Sequence, residues 1–179
     1  MAKLKINNRA PRPGLLDRIH LAMSTGRYID GIWVGSWRTP SDLGRIEDAL
    51  LLIKQYDPVQ YFRLVRELTR VWVFVLTHAS AQYKRSLNAC ILDERYVADS
   101  APERIASTIV HEATHARLAR CGIEYEEGLR SRIEAVCFRR ELAFAAKLPN
   151  GATVREELMR YLDFYSDNAE YFSNKSVGE

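Results

Sequence analysis

TIVHEATHA, residues 108–116, decides how the rest of this chain is read. It places His111 and His115 four residues apart with Glu112 beside the first. On a helix, positions i and i+4 lie on one face, so both imidazoles can reach a single ion. Glu112 points partly aside, where a carboxylate meets a water held by that ion rather than the ion itself. Uncharged neighbours (Thr108, Ile109, Val110, Ala113, Thr114, Ala116) turn the motif toward the interior of the fold. Buried polar groups need partners, and a metal is one way to supply them.

The elements around this stretch follow from periodicity and punctuation. Residues 1–13 read as a loose arm and 14–24 as a short helix. Tyr28–Val34 reads as extended or hairpin structure around Gly31. Leu43, Ile46, Leu50 and Ile53 fall at helical spacing, with Ser41 as their cap. Asp57 and Pro58 open the next helix, over 58–68. VWVFVL, residues 71–76, predicts a strand buried on both faces. A polar stretch, 77–88, separates it from a second strand at Ala89–Leu92. Ser100 and Glu103 have capping-box spacing, predicting a helix from 100 to about 120 that Gly122 ends. A second long helix is expected over Glu126–Lys147, broken by Pro149, Asn150 and Gly151. Thr153 and Glu156 repeat the capping box and open a last helix to about Tyr165. Helices segregate from strands, so the expected class is α+β, mostly helical, with a short sheet packed on the HExxH helix. The 179 residues suit a single domain: arm 1–13, helical region 14–68, core 70–147 and C-terminal helices 152–179.

Composition narrows the class. Net charge is +3, with 26 Lys and Arg against 23 Asp and Glu. Arg130, Arg132, Arg139 and Arg140 interleave with Glu134 and Glu141, the signature of a solvated, mixed-sign helix face. With no helix-turn-helix or zinc-finger spacing, no direct nucleic-acid partner is expected. Cys90, Cys121 and Cys137 are three, without framework spacing, which argues for a reducing compartment. No apolar h-region follows the basic start and no apolar run approaches ~18 residues. The expectation is a cytoplasmic protein with no membrane partner.

A third metal ligand has three candidate sources. Cys121 stands six residues after His115, but Leu118 occupies the midway position where a sharp turn needs glycine. Glu124, Glu126 and Glu127 read as acids at a helix N-terminus. Glu134 lies 19 residues after His115, at the border of the stripe Leu129, Ile133, Val136 and Cys137. An antiparallel helix after the Gly122 turn would bring it opposite the histidines.

TIVHEATHA followed by Glu134, an HExxH-x18-E pattern, resembles the gluzincin metallopeptidases. The likeness covers roughly residues 70–145, the minimal core of thermolysin-like and aminopeptidase-N-like enzymes, and departs at Arg117. It implies a small zincin-like fold and one Zn2+ held by His111, His115 and Glu134. It also implies Glu112 as general base in peptide hydrolysis and Ala89–Leu92 as an edge strand that pairs with extended substrate. For the group that stabilises the oxyanion, Tyr125, Tyr161, Tyr165 and His78 are the candidates. For a carboxylate that orients a histidine, Asp99 or a glutamate of 124–127 is expected. The N-E-x-x-S-D surround, the glycine-rich aminopeptidase motif and a large lower subdomain are missing. A restricted or inactive module that binds a partner is therefore the alternative, as is an effector protease with one dedicated protein substrate.

Overall fold

The apolar run at 71–76 becomes β3 (Arg70–Phe74), the middle strand of a five-stranded mixed sheet. The computed structural model describes residues 10–40, 42–123, 125 and 129–167, the last four by backbone alone. Among them the chain is α+β. The strands are β1 (Thr25–Ile29), β2 (Ile32–Ser36), β3, β4 (Ala81–Lys84) and β5 (Ala89–Asp93). The helices are α1 (Leu15–Met23), α2 (Asp42–Tyr56), α3 (Pro58–Glu67), α4 (Glu94–Asp99), α5 (Pro102–Arg120), α6 (Arg130–Ala145) and α7 (Ala152–Asp167).

Sheet order is β1-β2-β3-β5-β4. β2, β3 and β5 run parallel, and β1 and β4 pair antiparallel at the two edges. The expected hairpin is there: Asp30 and Gly31, at φ 48° and 92°, close β1 onto β2 in the left-handed backbone that two-residue hairpins require. Ala89–Leu92 does not form an edge. β5 is interior and fully buried, as its unbroken apolar sequence demands. The edge is β4, inside the stretch read as a polar connector. Gln82, Tyr83 and Lys84 conceal it, because edge strands carry polar residues to resist further pairing.

One sheet face carries Val34, Val71, Val73 and Leu92 against Ile46, Leu50, Ile105 and Ile109 of α2 and α5. The other carries Trp72, Ala89 and Ile91, which pack with Leu87 of the turn before β5 against Leu21 of α1. α6 and α7 pack through Ala145, Val154 and Leu158. No helix among the described residues is long and apolar enough to cross a membrane.

Caps account for the remaining boundaries. Asp57 accepts from the Gln60 N–H and Pro58 sits at the first helical position, as expected. Ser41 lies outside the described residues. The helix expected from 100 begins at Pro102, and a further helix, α4, precedes it with Ser100 as its C-cap. Pro102 fixes the first position of α5, which makes Ala101 the cap and puts Ser100 one residue too early for a capping box. Thr153 likewise falls inside α7, which begins at Ala152. Gly122, at φ 79°, ends α5 as expected. Its N–H donates to Ala119 O at 3.1 Å and the Ile123 N–H to Leu118 O at 3.0 Å, the paired bonds of a Schellman turn.

Asp93 joins sheet to helix. Its carboxylate takes the Leu76 N–H at 2.8 Å and caps α4 through the N–H groups of Arg95 and Tyr96. Burial alone would raise its pKa, but these bonds and the Arg95 guanidinium hold the carboxyl below its usual range. Asp93→Ala should lower unfolding free energy by about 1–3 kcal/mol in urea titration. Because the folded pKa is depressed, the contribution is present above the ordinary carboxylate range and disappears as pH falls through the folded value. The difference between wild type and variant should therefore shrink in acid.

Candidate metal centre

Ser107, His111 and His115 recur every four residues along α5, and Glu134, Cys137 and Glu141 recur at three and four along α6. Both rows are helical faces, and the Gly122 turn sets them against each other in opposite directions. The result is a polar seam within an apolar interior: Ser107, His111, Glu112, Glu134, Cys137 and Glu141 are all buried.

At the centre, His111 Nε2 lies 3.2 Å from His115 Nε2 and 3.2 Å from Glu134 Oε2. His115 Nε2 is 3.7 Å from Glu134 Oε1. Tetrahedral nitrogen and oxygen donors about 2.05 Å from a zinc-sized ion stand about 3.3 Å from one another. The three separations bracket that value, so the donor set fits such an ion. Donor atoms of His111, His115 and Cys137 also lie within 4.8 Å of one another, a buried group that could hold a metal. The carboxylate distances favour Glu134 on the cavity side and leave the thiol on the buried side.

The His111 ring is held from behind. Its Nδ1 meets Glu141 Oε2 at 3.0 Å, and Ser107 Oγ donates to Glu141 Oε1 at 3.0 Å. Arg104 stands 3.7 Å from Glu141 and reaches Glu157 of α7 at 2.8 Å. The carboxylate that orients a histidine is thus Glu141, and Asp99 is exposed at the end of α4. Its signal was in the sequence: Glu141 stands seven residues after Glu134, two turns on, on the same face. The mixed-sign run is correspondingly not wholly solvated, since both its glutamates are buried. Of the expected apolar stripe, Ile133 and Cys137 are buried, whereas Leu129 and Val136 are exposed.

Electrostatics follow the geometry. Burial would depress His111, but hydrogen bonds to Glu134 and Glu141 outweigh it and carry the imidazole up to about 10. Burial and the neighbouring His111 charge push His115 down to about 4. Glu134 is lowered: its bonds to His111 and Tyr125 overcome burial. Burial, reinforced by Glu134 and Glu141, raises Glu112 to about 7 despite His111 and a hydrogen bond from the Tyr83 backbone N–H. Burial and the same carboxylates drive the Cys137 thiol far up.

A cavity of about 550 Å3 opens over this group between β4, α5 and α6. Glu112, His111, His115 and Glu134 form its polar floor, and Leu118, Ala119, Ile123 and Ile133 supply apolar wall. Tyr125 lines it and donates to Glu134 Oε1 at 2.6 Å. The other oxyanion candidates are not brought in. His78 is exposed in the loop after β3. Tyr161 stacks on Phe138, whose edge meets the His111 ring at 4.8 Å, and so lies behind the centre. The Tyr165 side chain and Glu124, Glu126 and Glu127 lie outside what is described. Cys121 is exposed at the α5 C-terminus, apart from the group.

No protein-family model, curated protein or solved structure matches this chain.

Removing the carboxylate behind a metal-binding imidazole typically weakens metal affinity about 10–100-fold. Glu141→Ala should do so in competitive zinc titration, with Ser107→Ala giving a smaller loss through the same carboxylate. Unchanged affinity in Glu141→Ala would show that His111 needs no such support.

Proposed function

We propose that this chain is a small zinc metallopeptidase of gluzincin type, with a zincin-like fold around α5 and β4. The observation that carries the reading is the convergence of His111, His115 and Glu134 at near-tetrahedral spacing beside Glu112, on the floor of an open cavity. Zn2+ held by these three residues would supply Lewis acidity, polarising a peptide carbonyl and lowering the pKa of a water to about 7.

The chain's own groups divide the remaining work. Glu112 takes the proton of the attacking water and delivers it to the leaving amine. A carboxylate raised to about 7 suits both directions of transfer near neutral pH. The Tyr125 hydroxyl, already at the cavity floor, turns from Glu134 to the developing oxyanion. β4 lies along the cavity, and as an edge strand it offers backbone groups to an extended peptide. The apolar wall receives a substrate side chain.

A second reading is an effector protease with one dedicated protein substrate. The length of β4 favours it: four residues give few backbone pairs, so recognition must draw on contacts elsewhere. Activity on denatured protein separates the two.

Glu112→Gln should retain stoichiometric zinc by elemental analysis and lose chelator-sensitive peptide cleavage by at least ~100-fold. Glu134→Ala should lose the metal itself. Full cleavage by the Gln variant would remove Glu112 from its role, and equal zinc in Glu134→Ala would remove that ligand.

A further inference from the structure

Cys137 is the one member of the buried cluster that the proposed hydrolysis does not use. It is fully buried, and its thiol makes no hydrogen bond among the described residues. Its surroundings are not those of a thiol that merely fills space. Two imidazoles lie within 4.8 Å, and the charges of Glu112, Glu134 and Glu141 all act on it. An alanine or valine would fill an apolar gap without setting sulfur among three carboxylates.

We infer that Cys137 is a fourth protein donor to the metal held by His111, His115 and Glu134, and that its thiolate closes the resting centre. Cys137 follows Glu134 by three positions on α6, so the two side chains emerge from neighbouring points of one helical face. Zinc binds thiolate sulfur at about 2.3 Å and imidazole nitrogen at about 2.0–2.1 Å, which puts tetrahedral sulfur and nitrogen about 3.5 Å apart. From the 4.8 Å bound, a contraction of at most about 1.3 Å reaches that value. Two histidines, one carboxylate and one thiolate complete four-coordination. Catalytic zinc sites instead keep one position open. Sulfur must therefore leave before substrate enters, taking up a proton from solvent to become the thiol while water takes its place, and the resting enzyme is latent. The inference rests on the metal reading above and adds the thiol's control of that site.

The full-length protein is loaded with Co2+ in place of zinc and its absorption recorded. The wild type should show an intense near-ultraviolet sulfur-to-cobalt charge-transfer band as well as weaker visible d–d bands. Cys137→Ser should lose the near-ultraviolet band, keep the visible ones, and cleave peptide faster than wild type. Glu134→Gln, which leaves Cys137 in place, should retain the charge-transfer band if it retains cobalt. Stoichiometric cobalt in the wild type without that band overturns the thiolate and leaves the hydrolase reading standing. A band in a protein that cleaves nothing, even as Cys137→Ser, upholds the thiolate and removes the hydrolase. Failure of the wild type to bind cobalt overturns both.

Discussion

The register between α5 and α6 is the constraint on which the remaining structure depends. Burying a histidine, three glutamates and a serine, with the half-buried His115 beside them, is costly unless each finds a partner. Here the partners exist in one alignment. Glu141 lies between Ser107 and His111, while Glu134 lies between His111, His115 and Tyr125. Sliding either helix by a turn would part Glu134 from His115 in one direction or Glu141 from Ser107 in the other, taking a partner from a buried carboxylate. Apolar packing tolerates such slippage better than a buried polar seam does. The Schellman turn at Gly122 starts the reversal, and Arg104, reaching both Glu141 and Glu157, extends the seam to α7.

The sheet brings the second half of the cavity. Its parallel interior strands are apolar on both faces and unavailable to solvent, so only an edge can meet the site. β4 is that edge, and the Tyr83 N–H points out of the ladder to Glu112. This contact ties strand to helix at Glu112. Asp93, at the end of β5, holds the loop that leads back from β3 toward β4, so the edge is placed by a capped helix start as well as by ladder bonds.

Much of this was legible in the sequence, and unevenly so. HEATH, the turn at Gly122 and the helix at 42–56 were readable because spacing and left-handed glycine are local properties. β4 was not, since an edge strand at a cleft is polar for the same reasons a loop is polar. Glu141 was hidden by charge: beside Arg139 and Arg140 it resembles a surface residue, and only its two-turn spacing from Glu134 places it inward. Cys137 was read as apolar stripe, a fair inference for a buried cysteine, and only the facing helix reveals that its neighbours are donors. Ser100 shows the limit of motif reading. The capping box was correct in spacing but displaced by one residue because Pro102 sets the helix start.

The charge distribution of the seam suits a cation. Without one, His111 is raised to about 10 because two carboxylates flank it from opposite sides of the ring. Burial first, and the His111 charge second, hold the neighbouring His115 low. A divalent ion at the convergence of His111, His115 and Glu134 would serve the same two carboxylates, one directly and one through the imidazole, and would use the nitrogen that His115 presents. The arrangement that makes His111 so basic is thus the one that would make it a strong ligand: Glu141 fixes the ring and raises its basicity, and Glu134 occupies the other side. A seam built only to join two helices would be satisfied by one such carboxylate. The second, directed at both imidazoles and at the cavity floor, is the one that the proposed metal ion would use.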